Sequence, residues 1–331
     1  MDYNNENNKY KNFSFNLIAH RMNIGADFGD FNQVDNSFNA LQNLMFFLMI
    51  FPDLKNIIKG FECDVRLTKD KELVVLHEKN IKTITEDRIK TKVNELTYKQ
   101  LNGILLSDVN WYYNWYKFKA LLLPDAKKLR KIINEKLDKN TFVLKASNMI
   151  EYLSSIGYKG EILIELKEQT DECRDAVIEL INAYKSKLNF AVQSYDIKRT
   201  LYIGESTETK IGILDDRFHL SQKSIIDEKF ISTMPFDFYS LIFSKVKEEK
   251  LKALIENDKQ LYVWTIRDAS ILLKILKLLE NFYNKYSFLP QSTSIITDIP
   301  LLINEYLTEE NPNFKSQVLK NTRIKHNNLY N

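Results

Sequence analysis

Cysteine is nearly absent from this 331-residue chain: Cys63 and Cys173 are the only two, and neither belongs to a Cys-x-x-Cys or Cys/His cluster. A disulfide framework is excluded, and no structural zinc site is suggested. Charge of one sign is missing too, because 47 basic residues face 44 acidic ones for a net +3. That balance gives no field for gripping nucleic acid, which is not expected as a partner. Long hydrophobic runs are also lacking: the most apolar, residues 44–51, is far too short to span a bilayer. The start, Met1-Asp2-Tyr3-Asn4-Asn5-Glu6, has no basic segment followed by an apolar one and does not read as a secretory signal. A soluble cytoplasmic protein is expected, although a secreted chain whose leader has been removed would read the same way.

Hydrophobic residues make up 44% and charged residues 27%, the ordinary globular range, and the length suits one large barrel or two average domains. Residues 1–12 are polar and Asn-rich, and the chain turns polar again at 309–331, so both ends read as flexible tails around a domain at 13–308. Short apolar runs at 16–19, 60–65, 73–76, 161–165, 190–193, 210–214, 261–265 and 294–297 alternate with amphipathic stretches such as 171–184 and 271–282. This is the βα rhythm of a parallel sheet, and eight runs suit an α/β fold closed as a TIM-like (β/α)8 barrel. Residues 105–140 are long for a connection and carry Trp111, Tyr112, Tyr113, Trp115, Tyr116 and Phe118. They read as an insertion after the third strand, whose aromatics either pack on the barrel or form a lid or a peripheral lipid- or partner-facing patch.

Side chains two apart on a strand share a face, so Glu62 and Asp64 present two carboxylates together while Cys63 faces away. Glu165 and Lys167 form a second such pair. Both pairs end apolar strands, where a barrel places its working groups, yet either alone reads equally well as a solvent-facing strand edge. His20 and His77 also directly follow apolar runs, in Leu17-Ile18-Ala19-His20 and Val74-Val75-Leu76-His77. One histidine so placed is commonly a hydrogen-bonded structural residue. Two of them, with two acidic pairs in the same strand series, are harder to explain as packing. His219 and His326 lie in polar contexts and receive no role.

These residues resemble the signature of the glycerophosphodiester phosphodiesterase family. Its opening His-Arg-Gly is similar to His20-Arg21-Met22, with Met22 in the glycine's place. Its Glu-x-Asp-Val-x-x-Thr-x-Asp followed by Val-Val-x-His-Asp resembles Glu62-Cys63-Asp64-Val65-Arg66-Leu67-Thr68-Lys69-Asp70 and Val74-Val75-Leu76-His77-Glu78. Further along, Glu165-Leu166-Lys167, Gln193-Ser194-Tyr195-Asp196, Trp264-Thr265 and Thr297-Asp298-Ile299-Pro300 resemble later motifs in the family's order. A Pro-Glu-Asn-Thr motif is only echoed by Val34-Asp35-Asn36-Ser37.

The resemblance implies hydrolysis of glycerophosphodiesters to glycerol 3-phosphate and an alcohol, with Glu62, Asp64 and Glu165 holding one divalent cation. Electrostatics agrees, because three carboxylates converging in a barrel mouth repel one another unless a cation neutralises them. All-oxygen ligation favours Mg²⁺ or Ca²⁺ over zinc. Arg21 and Lys167 are then expected to neutralise the phosphate, and His20 and His77 to act as an acid/base pair. Tyr195 and Trp264 either line the alcohol pocket or pack at the rim. Rival readings are a phospholipase D-like or cyclising lyase acting on lysolipids, a hydrolase of a glycerol-phosphate polymer, and a silent phosphodiester-binding module.

Overall fold

Apolar stretches rich in Ile, Val, Leu and Phe have little choice but to be covered on both sides, and eight of them here close on themselves. The computed structural model describes residues 15–22, 41, 48, 58–83, 90–102, 104, 143–215, 225–267, 269–287, 290, 292–298, 300 and 303. Its strands are β1 (Phe15–Ala19), β2 (Ile58–Leu67), β3 (Leu73–Val75), β4 (Leu144–Lys145), β5 (Glu161–Leu166), β6 (Asn189–Ser194), β7 (Lys210–Leu214), β8 (Phe238–Ile242), β9 (Gln260–Ile266) and β10 (Thr293–Thr297). Strands β1, β2, β5, β6, β7, β8, β9 and β10 pair in that circular order, all parallel, and β10 returns to β1. The fold is the expected (β/α)8 barrel.

One stave differs from expectation. The run at 73–76 is not a barrel strand: β3 pairs antiparallel with the end of β2, Val75 against Val65 and Leu73 against Leu67, and β4 extends this small outlying sheet. Five residues separate β2 from β3, whereas a parallel return needs a dozen or more. The missing stave is β8, whose register places Phe238 beside Gly212 and Gln260. The tails and the aromatic segment 105–140 lie outside the described residues, as do Asp35 and Asn36.

Helices cover the outside. The short α1 (Tyr98–Asn102) lies under the outlying sheet, and α2 (Ala146–Ser155) precedes β5. Then α3 (Asp171–Tyr184), α4 (Ile197–Thr207), α5 (Glu228–Thr233), α6 (Glu248–Glu256) and α7 (Ala269–Tyr286) alternate with the staves. Helix α3 shows why such segments start where they do. The Thr170 side chain accepts a hydrogen bond from the Cys173 N–H, Asp171 and Glu172 favour the positive helix start, and Cys173, Val177 and Ile181 form the buried stripe. Both cysteines are free and buried.

Strand alternation gives the barrel interior its layers. Ile18, Leu163, Ala191, Phe238, Tyr262 and Ile296 form one cluster inside, with Trp264 packed on it. One step towards the strand starts, the Tyr262 hydroxyl donates to Glu161 Oε1 at 2.7 Å, and Lys210 Nζ lies 2.6 Å from the same hydroxyl and pairs with Glu161. These groups form a polar floor. One step the other way come the residues at the strand C-termini.

The middle layer fits only because Gly212 has no side chain: a Cβ there would lie 2.1 Å from the Phe238 ring, itself 4.2 Å centroid to centroid from Tyr262. Gly212→Ala is expected to destabilise by about 1–3 kcal/mol through overpacking. Urea denaturation checks this, and Phe238→Leu in the same chain should recover part of the loss, because contacting residues couple.

Candidate active site

Residues two beyond the middle layer face the mouth by the same alternation: His20, Asp64, Glu165, Gln193, Leu214, Ser240, Trp264 and Asp298. Glu62 lies directly below Asp64 on β2. The structure thus brings Glu62, Asp64 and Glu165 together, with one oxygen of each within 4.8 Å of the others. All three are buried. Lys167 reaches across them, its Nζ 3.1 Å from Asp64 Oδ1 and hydrogen-bonded to Glu165. Arg21 approaches from the opposite side, with Nε 3.4 Å from Asp64 Oδ2 and its main-chain N–H donating to Glu62 Oε2 at 2.9 Å.

That donation depends on an unusual backbone. Arg21 and Met22 follow His20 with φ of 51° and 61°, in the left-handed region that glycine enters freely and other residues enter at a cost of about 1–2 kcal/mol. Met22 tolerates it with a side chain wholly buried in the main core cluster.

His20 is fixed from behind. Its Nδ1 lies 2.5 Å from Asp298 Oδ1, and Arg267 Nε donates to Asp298 Oδ2 at 3.1 Å. An ionised carboxylate only accepts, so Nδ1 carries the hydrogen and Nε2, 3.9 Å from Glu62 Oε2, faces the carboxylates with its lone pair. Burial works to raise the Asp298 carboxyl, but the charge and hydrogen bond of His20, with Arg267, hold it below the usual range. His20 itself is lowered, because burial outweighs the help of Asp298.

His77 follows β3 rather than a barrel stave. Its Nδ1 lies 3.2 Å from Glu78 Oε1, and the ring is about one-third exposed, at 34%. Trp264 lies half-buried in the ring of mouth residues and donates from Nε1 to the Ser240 carbonyl at 2.9 Å. Tyr195 is half-buried just past β6, between the mouth residue Gln193 and Asp196, which caps α4.

Burial, followed by the charges of Asp64 and Glu165, pushes Glu62 well above the usual carboxylate range. Burial also opposes ionisation of Asp64, but Lys167, His77, Arg21 and His20 together hold it far below. Lys167 is raised in turn, since Asp64, Glu165 and Glu62 outweigh its own burial. Glu62 Oε1 is buried with no hydrogen-bond partner. A divalent cation fits this donor set: it takes hard oxygen ligands and would satisfy the orphaned oxygen.

Sequence reasoning assigned no role to Asp298, Arg267, Arg66 or Gln193. Asp298 carried a legible signal, since it follows a strand end in the Thr297-Asp298 motif. The partners of Arg66 and Arg267 are long-range and left none.

The sequence profile described as the Glycerophosphoryl diester phosphodiesterase family matches residues 55–300. No curated protein matches the chain. Among solved structures, one of this type from Silicibacter pomeroyi DSS-3 shares the fold with a TM-score of 0.63 at 13% identity, covering 92% of this chain and 96% of its own. An Oleispira antarctica phosphodiesterase in complex with the product sn-glycerol-3-phosphate superposes with a TM-score of 0.56 at 17% identity over 89% of this chain and 98% of its own. The glycerophosphodiester phosphodiesterase of Thermotoga maritima does so with a TM-score of 0.51 at 19% identity, over 89% and 99%.

Because burial and the charges of Asp64 and Glu165 raise Glu62, a cation bound there competes with a proton for its oxygens. Mg²⁺ or Ca²⁺ binding is expected to release a proton and to weaken as pH falls through the raised Glu62 value. Titration calorimetry in two buffers of different ionisation enthalpy measures the release. Glu62→Gln should abolish it, and equal heats in both buffers for the unmodified protein would contradict the proton's place on Glu62.

Proposed function

The chain belongs to the glycerophosphoryl diester phosphodiesterase family, and on that premise we propose that it hydrolyses glycerophosphodiesters to glycerol 3-phosphate and an alcohol with a divalent cation held by Glu62, Asp64 and Glu165. The observation that carries this reading is the convergence of those three carboxylates within 4.8 Å beside a histidine whose free nitrogen is turned towards them. A silent binding module has no evident use for that histidine arrangement.

A phosphodiester resists attack because its oxygens are anionic and its alkoxide leaves poorly. The cation, Mg²⁺ or Ca²⁺, supplies charge neutralisation at the phosphate oxygens when bound. Arg21 adds positive charge from one side of Asp64 and Lys167 from the other, and both face the same mouth. His20, neutral through burial and held in one tautomer by Asp298, accepts the proton of the attacking oxygen at Nε2. As the new P–O bond forms and the bond to the alcohol breaks, His77 gives a proton to the departing oxygen. His77 suits that step because its exposed ring can exchange protons with solvent between turnovers. Trp264 and Tyr195 are the groups we assign to the alcohol pocket.

Release of glycerol 3-phosphate from glycerol esters of phosphocholine, phosphoethanolamine, phosphoinositol and phosphoglycerol, with Mg²⁺ or Ca²⁺ present, tests the reaction. Turnover of none of the four refutes the assignment, and a lasting cyclic phosphate in the phosphorus NMR spectrum favours the lyase.

His20→Ala and His77→Ala are each expected to lower kcat by roughly 10²-fold or more, while the cation still raises Tm. The double variant should be little worse than the worse single one, because both serve one proton-transfer sequence. Since burial lowers His20 in the ligand-free site, the acid limb of kcat/KM should fall below the ordinary histidine value of about 6.5. The pH profile of purified protein checks this, and a limb above that value contradicts His20 as the base.

A further inference from the structure

Arg66 is the penultimate residue of β2, two residues beyond Asp64 on the same face and above the last stave contacts of the barrel. It is 7% exposed. Its guanidinium is turned onto the main chain: Nε and Nη2 both donate to the carbonyl oxygen of His77, at 3.0 and 2.7 Å. The third nitrogen, Nη1, lies 3.7 Å from Glu168 Oε1, one residue past Lys167. One side chain therefore ties the segment carrying His77 to the strand ends that carry Asp64 and Glu165.

His77 needs such a tie. It lies outside every strand, and the hydrogen bond nearest to it in the ladder is that of the Leu76 N–H to the Asp64 carbonyl at 2.9 Å. The next backbone tie is that of the Val93 N–H to the Lys79 carbonyl at 3.1 Å, so His77 sits in a short span between two anchors whose peptide orientation neither bond sets. Burying a guanidinium there is expensive, and what the two charge-assisted bonds add is a fixed direction for the carbonyl and for the Cα beyond it. We propose that Arg66 is a positioning residue for His77, holding its imidazole at a set place over the carboxylate cluster through the two-pronged grip on the His77 carbonyl. Arg66 does not contact phosphate in this arrangement, since its nitrogens are directed at the His77 carbonyl and Glu168.

The proposal rests on the reading of His77 as a proton carrier, and its test separates the two. The variants are Arg66→Lys, which keeps the charge but offers no planar fork, and Arg66→Met, which removes both. With cation-saturated protein and a glycerophosphodiester substrate, kcat should fall about 10-fold for Arg66→Lys and about 10²-fold for Arg66→Met, the scale of a reacting group displaced by an ångström or so. KM should stay within about threefold, and the cation-linked rise in Tm should persist, because neither depends on where His77 points. In a His77→Ala background, adding Arg66→Met should cost less than about threefold. The His77 ring signal in the proton–carbon NMR spectrum, assigned by its loss in His77→Ala, should shift or broaden in both Arg66 variants.

An unchanged ring signal overturns the proposal. So does an equal loss of kcat with and without His77, which would give Arg66 a target elsewhere. A lowered Tm with unchanged kcat and ring signal would make Arg66 purely structural. If the ring signal moves while His77→Ala retains full activity, positioning stands and the proton-carrier reading of His77 fails. Should Arg66→Met not fold, Arg66→Lys carries the same comparisons.

Discussion

Three carboxylates confined within 4.8 Å and shielded from water repel one another strongly, and the rest of the mouth answers that repulsion. Lys167 immediately follows β5, two residues after Glu165, so the compensating cation comes with the charge it compensates. Arg21 contributes a main-chain N–H as well as a guanidinium, and it does so only because the chain turns left-handed at Arg21 and Met22. What remains is Glu62, raised by burial and by its two neighbours, with one oxygen that has no hydrogen-bond partner. The apolar barrel supplies the rigidity that keeps these like charges from drifting apart.

The ring of mouth residues is divided. Asp298, His20, Asp64 and Glu165, from β10, β1, β2 and β5, make a charged half in which each member has an ionic or hydrogen-bonding partner. Gln193, Leu214, Ser240 and Trp264, from β6 to β9, make a neutral half. Among these, the Gln193 Oε1 and Ser240 Oγ atoms are buried without hydrogen-bond partners. The division follows the chain: the charged half lies across the junction where the barrel closes, and the neutral half is one uninterrupted βα series.

Much of the fold was legible because burial imposes a period. Alternation put Glu62 with Asp64 and turned Cys63 outward, and helical spacing marked 171–184 with the limits that α3 has. The misread stave shows what a pattern alone omits. Leu73, Val74 and Val75 are as apolar as any barrel strand, and only the five-residue link from β2, with Lys71 at φ 65°, forbids a parallel return. Strand β8 escaped because Asp237 and Ser240 interrupt its apolar run; Asp237 accepts from the Ile211 N–H, and Ser240 faces the barrel interior. At the site, the positions of acidic residues and histidines could be read from their strand ends. The groups that hold those residues in place could not. The hydrogen bond from His20 to Asp298 spans 278 positions in sequence, and nothing local at either end announces the other.

The polar floor of Glu161, Lys210 and Tyr262 has a geometrical consequence. With the layer above it filled by Leu163, Phe238, Tyr262 and Ile296, the described residues plug the barrel beneath its rim. A group seated on that rim has protein beneath it and nothing beneath it to outgrow. The length of whatever is attached to it is therefore unconstrained by depth, and discrimination between molecules has to come from the side walls and the loops above.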